Sequence, residues 1–519
     1  MQKLKLNKQN QISYSIVIFS AISFLFIYFF TNIYFYLWYP PQGIHFSRQT
    51  DSLSFSTYFY LTGNHIFEPG NLNLDSSFGK CAAEFPIIYY FTSILYDFFG
   101  YNFYIHKSVT IVFLFIGFLF CNKSIFLLGN SIITTIFLSI LFFSSTVILY
   151  YGSLYLPDIP AFSLTLVGFY FFLLYQKNQI KKDLVFMFFF LTLSSLIKAS
   201  FYYYEFVFFI VIILNLQNKM IKSNLNILCF FISSAIIFSW YYYAILYNNF
   251  NHANHYSTSP VPFWKDSKER IMMAFDMIIN YWYSKYYFQS TMHFFLVTIL
   301  VYTIFIKKNL ADIILILLLL LSTCIYFSLF FVQFIDHDYY FIVTVPFIII
   351  TISIFYYNIE KLIKNKYMKF TTTLFLITLS LLSLNYAKLN LHRRYSNNID
   401  SFSVVGYQLS NVNKFLDSLK IKKDAKFIVI GDKTKNGSLV FLNKFGWTYE
   451  DFNHKQNEII YNFSNADYLV VLSPSKNRIP KIFFQKLYRC KKYNYLNNDI
   501  YSLKKQASTI HNALFKKSN

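Results

Sequence analysis

Carboxylates are scarce in this chain. Only 24 Asp and Glu stand against 46 Lys and Arg in 519 residues, and 13% of the sequence is charged. So little charge beside 55% hydrophobic residues, with 65 Phe and 46 Tyr, excludes a soluble enzyme built around one large core. Nucleotide-binding signatures are missing too. Phe427-Ile428-Val429-Ile430-Gly431-Asp432 begins like a nucleotide fold, yet no GxGxxG and no P-loop follows it. There is no zinc-finger spacing and no basic helix with base-reading residues, so the net charge of +22 does not point to nucleic acid. The five cysteines, Cys81, Cys121, Cys229, Cys324 and Cys490, form no CxxC pair. Three lie in or beside apolar runs and read as small buried hydrophobes. Cys81 and Cys490 leave a disulfide on the outer side open.

What is present is a series of apolar runs near the roughly 20 residues that cross a bilayer. The first, Ile12–Trp38, follows a basic start with Lys3, Lys5 and Lys8 and has no small-residue cleavage site. It reads as an uncleaved span with a cytoplasmic N-terminus. Others fall near 103–121, 131–151, 159–176, 184–198, 200–215, 225–247, 291–306, 310–332, 338–357 and 370–389. The expected fold is a polytopic α-helical membrane protein with about eleven transmembrane helices. Charge supports one orientation. Lys123, Lys177, Lys181, Lys182, Lys219, Lys222, Lys307, Lys308, Lys361, Lys364, Lys366 and Lys369 fall in alternate connections. Gly152–Pro157 and Gln333–Asp338 hold no Lys or Arg, so they are the outer side.

Two outer connections are long, 39–102 and 248–290, and long loops in compact proteins usually carry function. The first contains Glu84-Phe85-Pro86 followed by an apolar, Tyr-rich run to Phe99 and Gly100. Pro86 suits the first helical position, Glu84 the positive helix end and Gly100 the stop. An interfacial helix on the outer surface is expected there. After residue 389 the pattern changes to strands at 427–430 and 468–472 with a helix near 404–420. The expected division is a transmembrane domain, 1–389, and a small extracytoplasmic α/β domain, 390–519.

The scarce ionisable groups cluster on that outer side. Asp51 follows the first span, with Arg48 three residues before it and Glu84 in the same loop. A carboxylate there can act as a general base or bind a divalent ion, and arginine suits a phosphate. Asp158, between Pro157 and Ile159, suits an N-cap or a site lining, and the two are compatible. Lys198 sits at an outer hairpin tip, against the charge rule, either snorkelling, paired with Glu205, or neutralising a lipid phosphate. Asp336-His337-Asp338-Tyr339 is a polar turn that can cap two spans or face a site. His252 and His255 could complete a metal site with Glu84, or are ordinary surface histidines.

In order and placement these residues resemble the GT-C-type glycosyltransferases that use lipid-phosphate sugars, the protein O-mannosyltransferase and aminoarabinose-transferase group, bacterial branch. The pieces are Arg48-Gln49-Thr50-Asp51, Glu84-Phe85-Pro86, Leu156-Pro157-Asp158, Ile197-Lys198 and Asp338-Tyr339-Tyr340-Phe341. The resemblance implies transfer from a polyprenyl-phosphate sugar to a lipid, glycan or protein acceptor at the outer face of the inner membrane. It puts the catalytic carboxylate on Asp51, the donor phosphate on Arg48 and Lys198, and a divalent metal, where one is used, at Glu84; Asp158 is read as a second catalytic residue and His255 as the further metal ligand. Asp338 and Tyr339 would line the cavity. Asp51 is followed by Ser52 and lacks the paired carboxylate of the protein mannosyltransferases. The competing readings are a lipid-linked glycan flippase and a surface-polysaccharide ligase or polymerase. A transporter would place its charges near the bilayer midplane, whereas these sit at span ends.

Overall fold

The computed structural model describes residues 2–214, 224–254, 260–305, 310–395, 400–452, 456–478, 487 and 490–503. The chain divides into two compact units. The first comprises Met1–Trp38, Lys107–Tyr242 and Thr258–Arg393; the second comprises Tyr39–His106, Tyr243–Ser257 and Arg394–Asn519.

The first unit is helical. Most of the apolar runs read from the sequence fall largely on helix, and among the described residues six helices are long and apolar enough to cross a membrane: Phe103–Leu128, Asp158–Asn178, Asn224–Phe250, Leu310–Ile335, Asp338–Leu362 and Lys366–Arg394. Two of these are mostly buried by protein, Asp158–Asn178 at 78% and Asp338–Leu362 at 89%, so they form the middle of the unit. Small residues let neighbours approach, as membrane helix packing requires. A Cβ added at Gly168 would meet Leu191 at 2.6 Å, and Ser194 Oγ donates to Ala161 O at 2.7 Å across the same hairpin.

Two runs are broken where continuity was expected. The first helix ends at Phe30, and a separate turn, Ile33–Tyr36, follows Asn32 in a left-handed conformation. The run 131–151 splits into Ile132–Phe143 and Thr146–Tyr151. Ser145 causes the break by capping the second piece, accepting from Ile148 N.

The second unit is built on a five-stranded sheet: β1 Phe427–Ile430, β2 Gly446–Tyr449, β3 Tyr468–Val471, β4 Lys491–Tyr495 and β5 Asn498–Ser502. The order is β2-β1-β3-β5-β4. The β1 pairings are parallel, and β3-β5 and β5-β4 are antiparallel. All four β1 residues are buried, as expected of a central parallel strand covered on both faces. Residues of the first long connection extend this sheet. Leu74 N donates to Gly446 O at 2.8 Å and Gly446 N to Leu72 O at 3.1 Å.

Gly446 leaves no room for a side chain, because an added Cβ would lie 1.9 Å from Phe427 O. Gly446→Ala is expected to destabilise this unit by about 3 kcal/mol, read as a drop in its thermal unfolding midpoint. A second prediction concerns pH. Lys476 and Lys492 approach Asp499 at 2.8 and 3.0 Å. Burial pushes the Asp499 carboxyl up, but these bonds outweigh it and hold it below the usual range. A depressed carboxylate adds stability that is complete above its unfolded pKa and lost as pH falls through the folded one. Melting of this unit should decline on acidification below about pH 4, and Asp499→Asn should flatten that decline.

The helix expected after Glu84 forms as Ile87–Phe99, with Pro86 at the N-cap, one position earlier than expected, and Gly100 ending it at φ 79. It buries Tyr89 and Tyr96 and exposes Phe91, Phe98 and Phe99. The helix expected near 404–420 is two pieces, Val404–Gln408 and Val412–Ser418, parted by left-handed Asn411. Cys81 and Cys490 are separate thiols, so the disulfide left open by the sequence is not formed.

Candidate functional site

Asp51 does not lie in a loop. It sits on a helix, Phe46–Thr62, and is buried. The Ser- and Thr-rich sequence forms a helix because its hydroxyls turn inward. Thr50, Thr57 and Thr62 donate to the carbonyls of Phe46, Leu53 and Tyr58, each four residues back.

A second loop reaches the carboxylate. After β1, Asp432 Oδ1 accepts from Thr434 N and Thr434 Oγ1 at 2.7 Å, and Oδ2 from Ser438 N at 2.7 Å. Burial pushes the Asp432 carboxyl up against the pull of these bonds. The bonds fix the turn that presents Asn436. Asn436 Nδ2 donates to Asp51 Oδ1 at 2.8 Å, while its Oδ1 accepts from Ser54 Oγ at 2.9 Å. Ser54 Oγ accepts from Leu72 N at 2.8 Å. Asp51 is thus oriented by a neutral amide that is itself locked. Sequence reasoning missed Asn436. Its one signal was the polar run Asp432-Lys433-Thr434-Lys435-Asn436 directly after a buried strand.

Arg48 and Glu84, noted separately in the sequence, meet at 2.8 Å, and Tyr89 donates its hydroxyl to the same Glu84 oxygen. Burial, then the charge of Glu84, pushes the Tyr89 hydroxyl up, so it stays a donor. Among the described residues no three His, Cys, Asp or Glu gather as a metal-ligand set. Glu84 faces a cation, a pattern that suits an ion pair better than a metal. His255 lies outside the described residues. Arg48→Met would remove the cation that faces Glu84 and leave the Tyr89 hydroxyl on that carboxylate. It should cost about 3 kcal/mol in thermal stability, and adding Glu84→Gln should recover most of the loss.

In the helical unit Lys198 Nζ lies 3.1 Å from Asp158 Oδ1. Asp158 is the first residue of its helix, after Pro157 at the N-cap. Its side chain therefore pairs with lysine instead of serving as that cap. Glu205 takes a different partner from the one considered, accepting from Ser233 Oγ. The Lys198 ammonium also stands over the rings of Tyr339 and Tyr340, 5.5 and 5.4 Å from their centroids. Asp338 Oδ1 accepts from Tyr151 OH at 2.6 Å, and Tyr151 packs edge-on against Tyr339. Tyr151 was another residue the sequence did not single out. Asp158, Lys198, Asp338 and Tyr339 thus form one connected group at the ends of their helices.

No protein-family model and no curated protein matches the sequence. Solved structures do match. ArnT from Cupriavidus metallidurans, bound to undecaprenyl phosphate, aligns with a TM-score of 0.58 at 9% identity, covering 95% of this chain and 99% of its own. The Archaeoglobus fulgidus oligosaccharyltransferase AglB, in complex with an inhibitory peptide and a dolichol-phosphate, aligns at 0.52 and 12% identity, covering 96% and 75%. The mycobacterial arabinofuranosyltransferase AftD aligns at 0.55 and 9% identity, covering 94% of this chain and 40% of its own. At such identities the shared property is the fold alone, and it extends over more than nine-tenths of this chain.

Proposed function

We propose that this chain is an inverting glycosyltransferase that takes a sugar from a polyprenyl-phosphate donor to a lipid, glycan or protein acceptor. Its setting is a bacterial inner membrane, with the N-terminus cytoplasmic and the sheet-bearing unit extracytoplasmic. The observation that carries this reading is a fold shared over nearly the whole chain with ArnT, whose structure holds undecaprenyl phosphate.

The residues supply the parts such a reaction needs. Asp51 takes the proton of the acceptor hydroxyl, and that oxygen attacks the anomeric carbon from the side opposite the phosphate. The bond from the anomeric carbon to the phosphate oxygen breaks, and polyprenyl phosphate leaves with the electron pair. Configuration inverts. Lys198 is assigned to a phosphate oxygen, where a cation offsets charge that grows in the transition state. Asp158 positions that lysine. Arg48 is assigned beside it to the donor phosphate, whose geometry suits a planar guanidinium. The test is incubation of the purified protein with labelled polyprenyl-phosphate sugars. Release of polyprenyl phosphate together with a labelled acceptor is expected. Lipid movement across a bilayer without that release would make the chain a transporter.

A further inference from the structure

A cavity of about 460 Å³ opens in the helical unit, at the end of the bundle away from Asp338 and its neighbours. The helix Asp338–Leu362 joins the two ends. Asp338 begins it, and Glu360 and Lys361 in the cavity wall stand roughly 33 Å further along by helical rise. We propose that this cavity binds the phosphate-bearing headgroup of an anionic phospholipid, with Lys361 and Lys369 as its cations. The proposal is independent of any sugar chemistry at the opposite end.

The wall is held by the protein's own bonds. Ser131 caps the helix Ile132–Phe143, accepting from Thr134 N at 3.2 Å. Asn130 Nδ2 ties the same turn to Ile125 O and Ser353 O at 3.0 and 3.3 Å. Glu360 is the one carboxylate among the described lining residues, and both its oxygens are engaged in this wall. Oε2 accepts from Ser131 N at 3.0 Å and Oε1 from Thr134 Oγ1. Its charge therefore offsets the positive end of that helix.

The lysines have no such partner. Among the described residues neither Lys361 nor Lys369 forms an ion pair. Asp312 senses Lys361 only at longer range. Lys361 Nζ stands 4.0 Å from the centroid of the Tyr357 ring, a face that holds an ammonium without neutralising it. Lys364 and Lys366 lie between the two in sequence, so the potential at this end is positive.

What lies beside the cations fixes the occupant. On the helix Lys366–Arg394 the cavity is lined by Lys369, Thr372, Thr373 and Leu376, the i, i+3, i+4, i+7 spacing of one helix face. On the same turns Phe370 and Leu374 are exposed, as is Leu362 at the end of the helix Asp338–Leu362. Both helices are long and apolar enough to cross a membrane, so side chains exposed there meet lipid. A ligand in the cavity has cations on one side and hydrocarbon on the other. A phospholipid of net negative charge satisfies both. A free anion uses only the lysines, and a zwitterionic lipid brings a cation that they repel. Basic pockets between membrane helices are suited to anionic headgroups for this reason.

The experiment follows thermal unfolding of the full-length protein in a nonionic maltoside. Dioctanoyl-phosphatidylglycerol is the probe, with dioctanoyl-phosphatidylcholine and inorganic phosphate as the other arms. A saturable rise in melting temperature is expected from phosphatidylglycerol alone. Lys361→Gln with Lys369→Gln should increase the lipid concentration needed for half of that rise about thirtyfold. Lys364→Gln with Lys366→Gln removes the same charge outside the lining and should change it little. Thr373→Phe fills the cavity with both lysines in place and should weaken the response as strongly as the first pair. Without lipid, all three variants should melt close to the parent. An equal rise with phosphatidylcholine would make the effect general to lipids. Saturation by inorganic phosphate would make the cavity a free-anion site. Equal losses in the two lysine pairs would make the effect diffuse surface charge. Each of these results overturns the proposal, as does a full response from Thr373→Phe.

Discussion

Asp51→Asn is expected to lower sugar transfer by about a hundred- to ten-thousandfold, the loss typical of removing a general base, with the fold unchanged. The substitution keeps the shape of the side chain. Its carbonyl oxygen can still accept from Asn436 Nδ2, the bond that measures 2.8 Å to Asp51 Oδ1. Ser54 and Leu72, which lock Asn436, are untouched. What disappears is the ability to take a proton from the acceptor. The loss should therefore fall on kcat, with KM for donor and acceptor nearly unchanged. A structural role would instead appear in the melting temperature, which should match that of the parent. Asp51→Glu should retain part of the activity, because the base is present but displaced by a methylene. Full transfer by the Asn variant would remove Asp51 from the mechanism.

The sequence made the charged members of these clusters visible because the chain has so few. Asp51, Arg48, Glu84, Asp158 and Lys198 each stand out against long runs of Ile, Leu and Phe. The helices were equally legible, since membrane spans are set by local hydropathy. What was hidden depends on contacts between distant parts of the chain. Asn436 lies 385 residues from Asp51, and an asparagine among lysines carries no mark of its partner. The helix around Asp51 was read as loop because Ser and Thr compete for backbone bonds. Here Thr50, Thr57 and Thr62 satisfy themselves on the preceding turn and leave the helix intact. The strand-like edge at Leu72–Leu74 exists only because Gly446 is there to pair with it. Such a pairing has no local period to find.

Lys198 carries the other large expected effect, and it has two parts that can be separated. Asp158 is fully buried, while Lys198 keeps about a fifth of its side chain exposed at 19%. Lys198→Met would leave the Asp158 carboxylate buried without its cation, at a cost of about 3–5 kcal/mol. A fall in thermal stability is therefore expected from the single variant whatever lysine does in catalysis. Adding Asp158→Asn removes the stranded charge, and the double variant should regain most of the lost stability. If the lysine only balanced Asp158, transfer would return with stability. If it also holds the donor phosphate, the double variant should fold well yet remain deficient, with most of the loss in kcat/KM for the donor. Lys198→Arg sharpens the distinction. It preserves the charge facing Asp158 but replaces a compact ammonium with a planar fork, which the rings of Tyr339 and Tyr340 accommodate by stacking. Stability close to the parent's, with donor affinity between those of the parent and the double variant, is the expected result. A fully active double variant would leave Lys198 with structure alone.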